Sequence, residues 1–131
     1  MTKERIDIKK SAKERNEEAA EENRELFRSK GVRVLNMIGS PGCGKTSILE
    51  YTARECDAKI AVVVGDVKTA LDAERIERSG IIAAPIETGG TCHLTAEMVR
   101  NAVNPIDLDE VDYLVIENVG NLVCPSTFDL G

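Results

Sequence analysis

The sequence predicts an α/β protein with a mostly parallel sheet that is covered by helices on both faces. Apolar, β-branched runs typical of buried strands alternate along the chain with segments of helical periodicity. The strand-like runs are residues 32–38, 59–64, 81–86 and 112–117. Because strands that alternate with helices are joined by crossovers, the pattern favours parallel pairing and a three-layer α/β/α arrangement.

A charged helix is expected before the first strand. Ser11 and Glu14 have the spacing of a capping box, in which the hydroxyl and the carboxylate satisfy free backbone N–H groups. Gly31 stands where a C-terminal cap would fall, so the helix should cover about residues 12–30. Its narrow stripe could dock onto the rest of the chain or pair with another chain, and docking is the simpler interpretation. The stripe consists of Ala19, Asn23, Leu26 and Phe27.

Three further helices are expected between the strands. The first runs from Lys45 to about Glu55, and a short one opens at Thr69 and is closed by Gly80. Thr91 is expected to cap the third helix. The apolar face of that helix is formed by Leu94, Met98, Val99, Ala102 and Val103.

The composition favours one folded unit of a cytoplasmic protein. With 131 residues, of which 42% are hydrophobic, the chain can bury a core. Residues 1–30 hold nine basic and eight acidic groups, and residues 31–131 hold eight and fifteen, so neither part has the basic excess that nucleic-acid binding requires. No apolar run approaches the roughly 20 residues that cross a bilayer, and no secretory signal is visible. We therefore expect reduced cysteines and neither a nucleic-acid nor a membrane partner.

Residues 39–46 fit the phosphate-loop pattern G-x-x-x-x-G-K-[ST]. The glycines let the backbone turn its N–H groups toward a β-phosphate, and the following helix adds its positive N-terminal end. Lys45 would reach the β- and γ-phosphates, and the Thr46 hydroxyl would bind Mg²⁺. The pattern lies between a predicted strand and a predicted helix, which favours a P-loop NTPase. The predicted nucleotide-binding residues of this loop are Gly39, Ser40, Pro41, Gly42, Cys43, Gly44, Lys45, Thr46 and Ser47.

Two further acidic positions lie at predicted strand ends. Asp66 ends the second strand, where a carboxylate can hold Mg²⁺ or orient the water that attacks the γ-phosphate. The alternative is an ordinary turn aspartate after Gly65. Glu117 and Gly120 occupy the place of the D-x-x-G segment of GTPases, with Glu instead of Asp, and would contact the nucleotide. Lys45 and Asp66 are therefore the predicted catalytic residues.

Cysteine and histidine form a second candidate site. Cys92 and His93 are expected at a helix N-terminus, where the helix dipole lowers the pKa of a thiol and favours the metal-binding thiolate. Cys124 follows the last strand, so it should leave the same edge of the sheet. Two thiolates and an imidazole suit Ni²⁺ or Zn²⁺. From spacing alone, burial of free cysteines is the competing interpretation. Cys56 is interpreted as structural.

These motifs together resemble the hydrogenase nickel-incorporation GTPases (HypB). The resemblance covers the chain from about residue 12 and is most specific in Cys92-His93-Leu94 and in residues 117–125, Glu-Asn-Val-Gly-Asn-Leu-Val-Cys-Pro. It implies a GTPase that cycles between GTP and GDP with Mg²⁺ and dimerises in a nucleotide-dependent way. It also implies a nickel or zinc site of Cys92, His93 and Cys124 near the dimer interface. The implied partners are a HypA-type nickel-binding protein and the hydrogenase large subunit.

Three features depart from that family. The sequence has no Cys-rich or His-rich N-terminal nickel motif, and Glu97 stands where some members carry a further histidine. The guanine-reading segment N-K-x-D is also absent from the sequence, so the resemblance alone implies GTP rather than ATP. We therefore expect residues 1–30 to form a helical extension and residues 31–131 to form a GTPase domain that lacks its C-terminal strands.

Two functions of different classes fit these features. The first is a GTP-hydrolysing nickel-insertion factor for [NiFe]-hydrogenase. The second is a metal-binding P-loop module with little or no GTP turnover, which the missing guanine-reading segment motivates. A urease-type nickel GTPase is disfavoured because that family uses a Cys-Pro-His motif, whereas this chain has Cys92-His93 and a separate Cys124-Pro125. A generic P-loop kinase would leave the cysteines unexplained.

Overall fold

The computed structural model describes residues 11–38, 44–65, 74, 76–86, 93–118 and 129–131. No helix within these ranges is long and apolar enough to span a lipid bilayer. The elements are helix α1 (Ala12–Lys30), strand β1 (Arg33–Met37), helix α2 (Lys45–Glu55), strand β2 (Ile60–Val64), strand β3 (Ile82–Pro85), helix α3 (Ala96–Val103), a 3₁₀-helix (Leu108–Glu110) and strand β4 (Tyr113–Glu117).

The four strands form one parallel sheet in the order β1-β4-β2-β3. The last strand in the chain therefore lies between the first two. In register, Met37 of β1 and Val64 of β2 both face Glu117 of β4, so the carboxyl ends of three strands lie side by side. The predicted parallel sheet is confirmed.

Each face of the sheet covers a separate hydrophobic core. Along β2, Ala61 and Val63 face the core that α1 and α3 cover, whereas Ile60, Val62 and Val64 face the core under α2. All five β2 side chains are buried. A strand that is buried on both faces reads as a continuous apolar run, which is why the sequence identified β2 clearly. The predicted three-layer α/β/α arrangement is confirmed.

Helix α1 packs against α3 and contributes to the same core, as the simpler interpretation of its stripe predicted. The Ser11 hydroxyl accepts a hydrogen bond from the Glu14 N–H at 3.1 Å, and Gly31 closes the helix with φ of 70°. Phe27 is buried in the same core as α3. The buried stripe differs from the predicted one, however, because it is formed by Asn16, Ala20, Asn23 and Phe27.

Two of these buried residues are asparagines that bind backbone groups of distant segments. Asn16 accepts a hydrogen bond from the Ala96 N–H at 2.8 Å, and its amide donates to the Asp129 carbonyl at 2.6 Å. The Asn23 amide donates to the carbonyl oxygens of Ala96 at 2.8 Å and Leu130 at 3.0 Å. Helix α1 thus joins the first turn of α3 to residues 129–131 through directional hydrogen bonds and not through apolar packing alone.

An ion pair reinforces the contact between α1 and residues 129–131. The Arg24 guanidinium lies 2.5 Å from the Asp129 carboxylate. Burial acts to raise the pKa of Asp129, but the Gly131 N–H and Arg24 outweigh it, and the pKa is lowered. Because both side chains remain partly exposed, this pair adds less to the free energy of unfolding than the buried asparagines.

Strand β1 is less covered than the other strands. Within the described sheet it lies at one edge and pairs with β4. Leu35 at its centre is 55% exposed, and Ile48 and Tyr51 of the adjacent α2 are 57% and 63% exposed. An edge strand lacks a neighbour on one side, and these three exposed apolar side chains lie on β1 and on the helix that follows it in the sequence.

Three expectations need correction or completion. Helix α3 begins at Ala96, and its N-cap is Thr95, whose hydroxyl accepts from the Met98 N–H, so Thr91 does not cap this helix. The 3₁₀-helix before β4 was not expected. Gly80 has φ of 83° and lies two residues after the last helical residue of 76–78, in agreement with the predicted helix end. The predicted start of that helix at Thr69 lies outside the described residues.

The buried asparagines of α1 yield a stability prediction. Replacing Asn23 by Leu removes the donor to two buried carbonyl oxygens, so we expect the free energy of unfolding to fall by about 2–4 kcal/mol. Urea unfolding measures the change. Glu25→Ala, an exposed change on the same helix, is the control and should shift the value by no more than about 0.5 kcal/mol. Similar losses in both variants would contradict the role of Asn23.

Candidate functional site

The N-terminus of α2 is built to receive an anion. Gly44 is its N-cap with φ of 97°, a left-handed conformation that only glycine adopts readily. Among the described residues no side chain caps this helix end, and its first turn contains no acidic residue. A Cβ on Gly44 would meet nothing within 4 Å, so backbone conformation and not crowding requires glycine here. Free N–H groups and the helix dipole at this end fit a phosphate group.

Only part of the predicted phosphate loop lies in the described residues. Lys45 and Thr46 are the first two residues of α2, as predicted, although their side chains lie outside the described part. Ser47 is exposed in the first turn. The predicted loop residues Gly39, Ser40, Pro41, Gly42 and Cys43 lie outside the described residues, between β1 and α2.

The second predicted nucleotide-binding segment starts beside this loop. Glu117 ends β4 and is only 8% exposed, and β1, which leads into the loop, is its neighbour on one side. On the other side, the Gly65 N–H at the end of β2 donates to the Glu117 carbonyl at 2.8 Å. Asp66 follows Gly65 in the sequence, and Gly120 follows Glu117 by three residues, but both lie outside the described residues. A carboxylate at this edge suits Mg²⁺ or its bound water.

The segment that follows His93 packs onto the same strand ends. The Leu94 N–H donates to the Asn118 side-chain oxygen at 3.3 Å, and Asn118 is fully buried. The Leu94 side chain lies over Gly65 so closely that a Cβ on Gly65 would be 2.6 Å from Leu94 Cδ1. The candidate metal segment and the candidate nucleotide segments therefore meet at the carboxyl edge of the sheet.

The metal ligands themselves are only partly described. His93 is half-buried, and it lies two residues before the N-cap Thr95, so the expectation that it stands at the helix N-terminus is not met. Cys92 and Cys124 lie outside the described residues. Within the described ranges there is no group of three or more His, Cys, Asp or Glu side chains that could hold a metal. Cys56 is a free, exposed thiol at the end of α2.

Helix α1 holds the chain near both predicted cysteine ligands. Asn16 and Asn23 bind Ala96, four residues after Cys92, and the same two asparagines bind residues 129–130, which follow Cys124 by five and six positions. Hydropathy did not indicate this role, because the residues involved are polar. The sequence signal that could have indicated it is helical spacing, because positions 16, 20, 23 and 27 lie on one face of the helix.

The fold and the site define a class of protein, a P-loop nucleotide-binding domain of the three-layer α/β type. Residues 33–129 match the family model described as CobW/HypB/UreG, nucleotide-binding domain. This match covers most of the chain, and the chain belongs to the CobW/HypB/UreG family.

Within this family the matched relatives are HypB proteins, in agreement with the resemblance drawn from the motifs. The chain is 42% identical to the hydrogenase/urease maturation factor HypB of Helicobacter hepaticus, with 100% of this chain and 56% of the relative covered. It is 43% identical to the probable hydrogenase maturation factor HypB of Methanocaldococcus jannaschii, with 96% and 58% covered. The chain thus spans a little over half the length of these relatives.

Solved structures agree with the sequence comparison. The crystal structure of HypB from Helicobacter pylori in complex with nickel superposes with a TM-score of 0.85 at 45% identity, covering 89% of this chain and 56% of the other. HypB from Archaeoglobus fulgidus superposes with a TM-score of 0.80 at 43% identity, covering 89% and 58%. The architecture described above is therefore that of the corresponding part of HypB structures.

The contact between Gly65 and Leu94 gives the second prediction. In Gly65→Ala the new methyl group overlaps the fully buried Leu94 side chain, so the free energy of unfolding should fall by about 1–3 kcal/mol. The double variant with Leu94→Ala removes the overlap and serves as the control. Urea unfolding of the unchanged chain, the two single variants and the double variant forms a double-mutant cycle. We expect the double variant to lose less free energy of unfolding than the sum of the two single losses. Additive effects would contradict the packing argument.

Proposed function

We propose that the chain is the phosphate-binding and metal-binding part of a GTP-hydrolysing nickel-insertion factor for [NiFe]-hydrogenase. The observation that carries this proposal is that Leu94, next to His93, contacts Asn118 and Gly65 at the sheet edge where β1 leads into the phosphate loop and β4 ends at Glu117. The names of the relatives, a hydrogenase/urease maturation factor and a probable hydrogenase maturation factor, and the nickel-bound HypB structure support it.

In this proposal the chain binds the phosphates of GTP or GDP at the α2 N-terminus. Backbone N–H groups of the loop at residues 39–44 surround the β-phosphate, and Lys45 neutralises the β- and γ-phosphates. Thr46 and Asp66 hold Mg²⁺, which supplies charge neutralisation at the phosphates. Asp66 also orients the attacking water, while Glu117 and Gly120 contact the nucleotide at its γ-phosphate.

Nickel is the cargo of the proposed cycle, and zinc is a competing ion. Cys92, His93 and Cys124 bind it as two thiolates and an imidazole, a donor set that suits Ni²⁺ and Zn²⁺. The thiolates need a reducing compartment, which favours the cytoplasm. The resemblance supports a nucleotide-dependent homodimer that receives nickel from a HypA-type protein and passes it to the hydrogenase large subunit. A second candidate, a metal-binding module with little turnover, is motivated by the span of only about half of the relatives.

The hydrolytic part of the proposal is tested with the candidate phosphate lysine. We expect the purified chain to release phosphate from GTP with Mg²⁺, and Lys45→Ala to reduce the rate about 100-fold because a charge at the transferred phosphate is lost. Lys59→Ala is the matched control, since Lys59 is exposed at the amino end of β2, on the opposite edge of the sheet. Metal binding without GTP turnover by the unchanged chain would favour the second candidate.

The metal site is tested by comparing cysteines. Cys92→Ser and Cys124→Ser should each weaken Ni²⁺ binding at least about tenfold, because serine does not supply a thiolate. Cys56→Ser should leave the affinity unchanged, since Cys56 lies exposed at the end of α2. Competition with a metallochromic chelator measures the affinities. Equal losses in all three variants, or no loss at positions 92 and 124, would overturn the assignment.

A further inference from the structure

The Asn118 side chain connects two segments that have different proposed ligands. Its amide donates to the Asn36 side-chain oxygen at 3.2 Å, and its own side-chain oxygen accepts from the Leu94 N–H at 3.3 Å. Asn36 lies on β1, three residues before the phosphate loop begins at Gly39. Leu94 directly follows His93. The Asn118 amide group therefore connects β1, which leads into the phosphate loop, with the segment that contains the candidate ligand His93.

The backbone around Asn118 ties this connection to the ends of the neighbouring strands. The Asn118 N–H donates to the Met37 carbonyl at 3.1 Å, which extends the pairing of β4 with β1 by one residue. On the other side, the Leu94 side chain is fully buried against Gly65. Asn118 also directly follows Glu117, the last residue of β4, so a displacement of this strand end would move the amide itself.

Burial makes the amide sensitive to the loss of either of these hydrogen bonds. Asn118 is fully buried, and a hydrogen bond that a buried amide loses is not readily replaced by one to solvent water. An aliphatic residue in the same place would fill space equally well but would not distinguish one arrangement of β1 and Leu94 from another. A directional contact of this kind can favour one relative position of two segments over a second.

We propose that Asn118 is a positioning residue that couples nucleotide state to metal affinity through the Asn36–Asn118–Leu94 hydrogen bonds. This inference rests on the proposed function, because it assigns the route between the two proposed sites. A displacement of β1 or of the end of β4 on exchange of GDP for GTP shifts the Asn118 amide. The amide then shifts the Leu94 backbone and with it the neighbouring ligand His93. Coupling of this kind acts equally in both directions.

The test uses the exposed end of the connection. Asn36→Ala removes the acceptor for the Asn118 amide, while Asn36→Asp retains an acceptor oxygen at the same position. Leu35→Ala, at the exposed neighbouring position of β1, is the matched control. For each purified protein the Ni²⁺ dissociation constant is measured by chelator competition with saturating GDP and with a saturating non-hydrolysable GTP analogue. The ratio of the two constants is the coupling.

We expect Asn36→Ala to bring the coupling ratio closer to one by about two- to tenfold. This is the change in an equilibrium constant that corresponds to the net free energy of one neutral hydrogen bond. Asn36→Asp and Leu35→Ala should keep the ratio of the unchanged protein. Urea unfolding establishes that all variants are folded. A preserved ratio in Asn36→Ala would overturn the role of Asn118 while leaving the proposed function intact. A ratio of one in the unchanged protein would overturn the coupling itself. If the unchanged protein did not bind Ni²⁺ at all, the proposed function would be overturned.

Discussion

The position of β4 between β1 and β2 is the constraint on which the rest of the structure depends. Without it, the strand that leads into the phosphate loop and the strand that ends at Gly65 would not share a neighbour. With it, Glu117 and Asn118 lie between them, and Leu94, which follows His93, contacts Asn118 after β4 and Gly65 after β2. The parallel pairing of β4 thus creates the candidate site, because ligands of such sheets bind at the carboxyl edge.

Apolar patterning explains how far the sequence could predict this fold. The run at residues 60–64 is apolar throughout, as expected of a strand buried on both faces, and Gly31 and Gly44 mark backbone conformations that favour glycine. The strand order was not predictable, since it depends on contacts between residues about 50 to 80 positions apart. The start of α3 was misplaced because Thr91 and Thr95 are both acceptable caps, and only packing selects Thr95.

The candidate site was predicted through motifs and not through its supporting contacts. Gly44 and Glu117 stand where the phosphate-loop and strand-end arguments put them. The sequence placed Asn23 in the docking stripe of α1 but did not predict the buried hydrogen bonds of Asn16, Asn23 and Asn118, because a polar residue on a charged helix or after a strand is normally exposed to solvent. These asparagines are buried because they form hydrogen bonds with backbone groups of Leu94, Ala96 and residues 129–130. A sequence pattern does not show which buried backbone groups require a side-chain hydrogen bond.

The buried asparagines hold residues 94–96 from two sides. Asn118 binds the Leu94 N–H from the sheet, whereas Asn16 and Asn23 bind the N–H and the carbonyl of Ala96 from α1. Between them, the Thr95 hydroxyl caps α3. His93 therefore precedes three residues whose positions are fixed by directional bonds. Because the α1 bonds do not involve the nucleotide segments, they supply a fixed reference for α3. The Asn118 bond is the one of these contacts that connects residues 94–96 to β4 and, through Asn36, to β1. Because Leu94 is buried in the core that α1 and α3 cover, a shift of His93 that is transmitted through this bond has to be accommodated by that core.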